Sequence, residues 1–182
     1  MPGTIVIVTG PPGAGKSTTS RSLAALYPRA VHLHTDDFWH YIVAGGIAPY
    51  LPEADSQNHT VVRVIAGAAF NYARGGFTVL VDGIVGPWML HHYRELLAQH
   101  PGLTVQYVVL RPTRRATLTR AQQRTGADAL VEAEPILALW DQFGDLGDLE
   151  THVVDTTDQT PADTLQLVAR AIRGGLYRLD AQ

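Results

Sequence analysis

Residues Gly10-Pro-Pro-Gly13-Ala-Gly15-Lys16-Ser17 carry a spacing that can cradle a phosphate chain. Glycine at the bends lets successive backbone N–H groups turn inward around an anion. A lysine after the last glycine reaches the β- and γ-phosphates, and the hydroxyl beside it, here Ser17, suits Mg²⁺. The spelling GxxxxGK[ST] requires a strand before it and a helix after it. Residues Thr4–Thr9 are an apolar, β-branched run, and residues 18–27 are compatible with a helix. The start of that helix adds the positive end of its dipole. Gly10, Pro11, Pro12, Gly13, Ala14, Gly15, Lys16, Ser17 and Thr18 are therefore the expected contacts of a nucleotide's phosphates.

Asp36 and Asp37 follow the second apolar segment. A carboxylate there takes the proton of an attacking hydroxyl or holds Mg²⁺ through water, and Asp is also a favoured helix cap. Asp36 is read as the base, and Asp37 as a cap or a second substrate contact. Asp82 closes Thr78-Val-Leu-Val-Asp82 and is read, with Ser17, as a Mg²⁺ ligand. Gly83 stands after it, where hydrolysing motors usually carry a Glu that activates water. That absence favours transfer to a substrate hydroxyl over hydrolysis.

Arg111, Arg114, Arg115, Arg120 and Arg124 crowd one short segment. Guanidinium groups match the charge that spreads over phosphoryl oxygens during transfer. Arg120 and Arg124 are four apart and share a helix face. With Arg115 they suit a lid over a triphosphate. Phe38, Trp39, His40, Tyr41 and Tyr50, and then Trp88, His91, His92 and Tyr93, are candidates for lining an acceptor pocket. His91 and His92 are adjacent and point apart on a helix, and His32 and His34 alternate on one strand face. With no third ligand near either pair in the sequence, zinc is not expected.

These residues need elements to position them. Strand-like and helix-like segments alternate, which predicts an α/β fold with a mostly parallel sheet. Strands are expected at Thr4–Thr9 and at 30–35, 77–81, 105–110 and 152–155. Helices are expected at 16–27, 38–44, 58–74, 88–99, 113–124, 132–143 and 161–173, with 47–56 as a loop. Ligands of such sheets lie beyond the carboxyl ends of the strands. Gly10, Asp36-Asp37, Asp82-Gly83, Arg111 and Asp155-Thr156-Thr157 all fall there.

Bulk properties narrow the classes. The chain has 182 residues, 46% hydrophobic and 17% charged, as one globular domain would. A net charge of −3 supplies no general basic field for long nucleic acid. No cysteine is present, which excludes disulfides and cysteine nucleophiles. No apolar run has membrane-spanning length, so a cytoplasmic protein, monomer or homodimer, is expected. Neither Asn58 nor Asn71 begins an NKxD box, and Thr18 stands where GxGxxG needs its third glycine, so ATP is favoured over GTP or a dinucleotide.

The assembled motifs resemble those of the small P-loop kinases, the group around chloramphenicol phosphotransferase, gluconate kinase, zeta toxin and polynucleotide kinase. The likeness spans nearly the whole chain. It is carried by GPPGAGKST, Thr35-Asp36-Asp37-Phe38, Val81-Asp82-Gly83, the arginine-rich segment and His152-Val-Val-Asp-Thr156-Thr157. It implies a three-layer P-loop NTPase fold with a five-stranded parallel sheet and a helical lid at about 112–130, all in one domain, 1–182. It also implies transfer of the ATP γ-phosphate to a hydroxyl of a small molecule. Lys16 and Ser17 would serve phosphate and Mg²⁺, Asp36 or Asp37 would be the base, and Arg120 or Arg124 would meet the transferring group. Thr156 and Thr157 would lie by the adenine. Trp39-His40 stand where relatives commonly continue with Arg, which weighs against a polynucleotide or charged-sugar acceptor. A nucleoside, nucleotide or polynucleotide kinase is the alternative within enzymes, and a slowly hydrolysing nucleotide switch the alternative outside them.

Overall fold

The computed structural model describes residues 3–125 and 130–181. Five strands, β1 (Thr4–Thr9), β2 (Ala30–His34), β3 (Thr78–Asp82), β4 (Thr104–Leu110) and β5 (Val153–Val154), form a parallel sheet in the order β2-β3-β1-β4-β5. The helices are α1 (Lys16–Ala24), α2 (Asp36–His40), α3 (Asp55–Arg74), α4 (His91–Gln99), α5 (Arg114–Gln122), α6 (Ala133–Asp141) and α7 (Pro161–Gly174). The expected α/β class, strand number and parallel pairing all hold.

Strand β1 lies at the centre, and its alternate residues feed two cores. Ile5 and Ile7 pack with Val62, Ile65 and Phe70 of α3 and with Tyr93 and Leu97 of α4. Val6 and Val8 pack with Leu23 of α1 and with Val168 and Ile172 of α7. A strand covered on both faces reads as a continuous apolar run, and β1 does. The result is three layers, with helices on each side of the sheet. The chain leaves β1 at Gly10, where the sheet's order turns outward in both directions. That is the crevice in which open α/β sheets hold ligands.

Helices α5 and α6 pair beyond the end of β4. Arg114 Nε lies 3.4 Å from Asp141 Oδ1, and Trp140 Nε1 donates to the Pro112 carbonyl at 2.8 Å. Helix α5 falls within the segment 112–130 expected as a lid, and α6 follows that segment. Residues 126–129 of the segment expected as a lid lie outside the described residues.

Several boundaries differ from expectation, among them the start of α3, which is Asp55 within the expected loop 47–56. Helix α2 begins at Asp36, not Phe38, and ends at His40. Two carboxylates in the first turn favour that start, because they face the positive end of the helix. Strand β5 is shorter, because the Asp155 carboxylate accepts Thr157 N–H at 2.8 Å and turns the chain. His152 ends a 3₁₀ turn instead, with Nδ1–H donated to the Tyr107 carbonyl at 2.9 Å. Lastly, the segment after α7 returns to the sheet. Tyr107 N–H donates to the Tyr177 carbonyl at 2.8 Å, and Leu179 N–H to the Val105 carbonyl at 2.9 Å. This antiparallel strap covers the half of β4 that short β5 leaves open.

Candidate active site

The loop after β1 is bent by three glycines at positive φ, Gly10 (138°), Gly13 (77°) and Gly15 (94°). Two of them also stand where no side chain fits. A Cβ on Gly10 would lie 2.0 Å from the Leu110 carbonyl oxygen, and one on Gly13 would lie 2.8 Å from that of Thr117 in α5. At Gly15 a Cβ would meet nothing within 4 Å, so only the left-handed backbone requires glycine there. Gly15 is the N-cap of α1 and offers no capping side chain. The first amides of α1 are thereby left to an outside acceptor, as an anion site needs. Pro11, Pro12 and Ala14 are buried beneath the loop, Ser17 is half-buried and Thr18 is exposed.

Lys16 folds back over this loop, its Nζ donating to the Pro11 carbonyl at 2.9 Å. Burial lowers its pKa to about 8. Asp82 and then Asp36 oppose that shift, and Arg124 adds to it. The charges of β3, α2 and the end of α5 therefore converge on one amine.

Asp82 is fully buried at the end of β3. Its Oδ2 lies 3.0 Å from His32 Nε2. Among the described residues its Oδ1 has no hydrogen-bond partner. A buried carboxylate oxygen without a partner is costly unless a cation or water completes it. With the Ser17 hydroxyl at the start of α1, the donor set is hard oxygen and fits Mg²⁺. Gly83 follows under steric constraint, because a Cβ there would lie 1.6 Å from Thr35 Oγ1. The glutamate of hydrolysing motors has no room at this position.

Asp36 and Asp37 project from the first turn of α2, with side chains 60% and 56% exposed. Thr35, not Asp37, is the N-cap, so the cap role expected for Asp37 is corrected. His34 lies between the two carboxylates, 3.3 Å from Asp37 Oδ1 and 3.9 Å from Asp36 Oδ2. Only Asp36 is felt at Lys16.

The arginines divide into different tasks. Arg111 forks onto Glu150 with two contacts of 2.8 Å and also donates to the Phe143 carbonyl at 2.7 Å. That hydrogen bond holds the Glu150 pKa down to about 2. Arg120 donates to the carbonyls of Thr156 at 3.1 Å and Thr157 at 2.7 Å, tying α5 to the loop after β5. Arg115 is exposed and two residues from buried Thr117, on the other side of α5 from the phosphate loop. Arg124 follows the C-cap of α5 and is felt at Lys16. The loop after β5 is itself anchored. Thr156 Oγ1 reaches the Ala14 carbonyl at 3.4 Å, and Thr157 Oγ1 accepts Thr113 N–H at 2.8 Å.

The aromatic residues separate too. Phe38 and Tyr41, with Ile42, Gln57, Thr60 and Val64, line a groove of about 530 Å³ between α2 and α3. Trp39 packs against the core and donates to Asn58 Oδ1 at 2.9 Å. Tyr93 is wholly buried, its phenol pKa pushed up by burial, and belongs to the core rather than to a pocket. Tyr50 and Trp88 are exposed and do not line the groove.

One expectation about histidine is overturned. His91 and His92 do have a third histidine beside them, His59 of α3, and ring nitrogens of all three lie within 4.8 Å of one another. Only the packing of α3 on α4 reveals it. His32 was equally hidden as the partner of Asp82, since the strand alternation shows a face but not its neighbour.

A phosphate loop at the end of a central parallel strand, with a buried carboxylate on the next strand, defines a P-loop NTPase fold. The sequence model of the AAA domain family matches residues 5–145, and the chain belongs to that family. Solved structures with the same fold include small P-loop kinases. A shikimate kinase from Acinetobacter baumannii in complex with shikimate is 22% identical, with TM-score 0.65 over 96% of this chain and 94% of that one. A sugar kinase from Janibacter is 20% identical, with TM-score 0.66 over 94% and 95%. A gluconokinase from Sinorhizobium meliloti is 18% identical, with TM-score 0.65 over 95% and 93%. No curated protein sequence matches the chain. No described helix is long and apolar enough to cross a membrane.

Proposed function

We propose that this chain is an ATP-dependent phosphotransferase acting on a hydroxyl of a small molecule. The observation that carries the reading is the glycine-bent loop bearing Lys16 together with the buried Asp82, whose Oδ1 has no partner among the described residues; the charges of Asp82, Asp36 and Arg124 also act on Lys16. Those groups belong to a metal ligand, a base and a charge clamp, and phosphoryl transfer needs all three around one phosphate. The amides of Gly13 to Thr18 would hold the β- and γ-phosphates, and Ser17 and Asp82 would hold Mg²⁺, which screens the phosphate charge. The acceptor oxygen attacks the γ-phosphorus and its proton passes to the Asp36 carboxylate. The bond from that phosphorus to the β-bridging oxygen breaks, and ADP leaves. Lys16 and Arg124 stabilise the charge that develops on the transferring group.

Asp36 is preferred to Asp37 because its charge is the one felt at Lys16. Arg124 is preferred to Arg120 because both terminal nitrogens of Arg120 are bonded to carbonyls. Thr156 and Thr157 are assigned to the adenine end, and Arg115, on the far side of α5, is given no part in it. Phe38 and Tyr41 of α2 supply an apolar wall within one turn or two of Asp36, which suits a compact, partly apolar acceptor. The kinases of shikimate and of sugars among the structural neighbours support this class of acceptor. Residues 1–182 would act as one domain, with 112–130 as its lid, in the ATP-rich cytoplasm, as a monomer or homodimer.

The test is ADP release from the purified protein with ATP and Mg²⁺ over hydroxylated metabolites, antibiotics, nucleosides and 5′-hydroxyl oligonucleotides. One small hydroxylated compound should stimulate release strongly, and Asp36→Asn should keep ATP binding while abolishing that stimulation. Stimulation by nucleosides or oligonucleotides alone would replace this reading with a nucleoside or polynucleotide kinase. Slow, acceptor-independent turnover with every compound would indicate a nucleotide switch.

A further inference from the structure

Histidines 59, 91 and 92 take no part in the transfer chemistry proposed above. His59 stands on the first turns of α3, and His91 and His92 open α4. His59 Nδ1 and His92 Nε2 are 2.9 Å apart, and the rings of His91 and His92 are centred 3.8 Å apart. Three imidazoles with nitrogens inside 4.8 Å are an unusual concentration of one ligand type. We propose that His59, His91 and His92 form a binding site for a divalent transition-metal cation of the zinc class, joining α3 to α4.

The outer nitrogens carry the argument beyond proximity. Metal-bound histidines almost always give their second N–H to a carboxylate or a carbonyl. His91 Nδ1 lies 3.0 Å from the Trp88 carbonyl, which fixes the proton there and leaves Nε2 as its ligand atom. His59 Nε2 lies 3.7 Å from Asp55 Oδ1, one turn back on α3, which leaves Nδ1 facing His92. One orienting hydrogen bond is thus in place, and the Asp55 carboxylate stands within ionic reach, for a centre built from His59 Nδ1, His91 Nε2 and His92 Nε2. Nitrogens about 2.0–2.1 Å from a tetrahedral zinc lie about 3.4 Å apart, so His59 and His92 need part by only about half an ångström.

Accessibility agrees. His92 is buried, His59 half-buried and His91 exposed, so a fourth position can be filled from solvent. Three histidines with an accessible fourth position suit Zn²⁺, and also Ni²⁺ or Cu²⁺, far better than Mg²⁺. Thr60 and Val61, which follow His59 on α3, line the groove between α2 and α3. A cation holding α3 to α4 would therefore fix one wall of that groove.

The test uses untagged protein, freed of metal with a chelator and titrated with Co²⁺. One Co²⁺ per chain should bind with the intense visible bands of four-coordinate nitrogen ligation. Zn²⁺ should erase those bands and raise the melting temperature, and Mg²⁺ should do neither. Removing a ligand should cost more than the 10–100-fold typical of losing an orienting partner. His91→Ala, at an exposed position that leaves folding intact, should show that loss, and His59→Asn should match it. Lys16→Met should bind Co²⁺ like the wild type, which separates this site from the phosphate loop. Absent bands, or equal Co²⁺ affinity in His91→Ala, would overturn the proposal, whatever the outcome for phosphotransfer.

Discussion

His32 Nε2 lies 3.0 Å from Oδ2 of Asp82, while Oδ1 of the same carboxylate has no partner among the described residues. One oxygen is therefore oriented by β2, and the other is left for a cation or water to complete. Orienting partners of metal-binding carboxylates typically contribute about 10–100-fold in metal affinity. His32→Ala is expected to raise the Mg²⁺ concentration for half-maximal turnover by about tenfold or more, with His32→Gln retaining part of the effect. Initial rates across a Mg²⁺ series at saturating ATP will read this.

Lys16 carries its charge at a cost in the ligand-free protein. Burial lowers its pKa from 10.5 to about 8, so the folded state holds this proton less tightly than the unfolded chain. The penalty is fully present below the folded value and fades as pH rises from about 8 to 10.5. Lys16→Met should leave ligand-free stability unchanged or raised, with the largest gain below that window. It should also abolish the rise in melting temperature that ATP gives the wild type. Urea unfolding on either side of the window, with and without ATP, checks both halves.

Arg120 lies on α5, bonded to the loop after β5, whereas Arg124 lies just beyond the C-cap of that helix. Arg120→Ala removes two hydrogen bonds to the carbonyls of Thr156 and Thr157 and frees the loop after β5. It should raise KM for ATP and lower stability by about 1–3 kcal/mol. Arg124→Ala should instead lower kcat by about 10²–10³-fold, as loss of one charge-stabilising donor does. Steady-state kinetics that separate KM from kcat will tell the two apart.

Glu150 is the acid-sensitive point of the fold. The Arg111 fork holds its pKa at about 2 instead of 4.5. Its contribution is complete above 4.5 and is lost as pH falls toward 2. The pair is partly exposed, so Glu150→Gln should cost about 1 kcal/mol near neutrality, after screening. The gap between variant and wild type should close through that acidic window, as followed by chemical denaturation.

The sheet was legible because each central strand is a continuous apolar run and each turn carries its own punctuation. The phosphate loop was legible because its constraints are local. Gly10, Gly13 and Gly15 all need positive φ, and the required spacing lies within one stretch of chain. What the sequence hid depends on register and packing. His32 meets Asp82 only because β2 lies parallel to β3 with His34 opposite Asp82. His59 meets His91 and His92 only because α3 and α4 cover the same face of the sheet. Arg111 and Arg120 read as phosphate ligands from charge alone, yet fixed partners elsewhere in the chain hold both. Gly83 is the converse case. Its missing glutamate was visible as an absence, and Thr35 Oγ1 explains it as a steric exclusion.

The strap formed by Tyr177 and Leu179 bears on how the molecule stays apart from its own copies. Strand β5 pairs only with Val109 and Leu110, and the strap takes up the backbone of Val105 and Tyr107. Without it, the backbone of β4 from Val105 to Tyr107 would present open amides and carbonyls to any passing chain. A chain cut back to the end of α7 would keep its phosphate loop and yet acquire a sticky border, so its first symptom would be aggregation rather than lost chemistry.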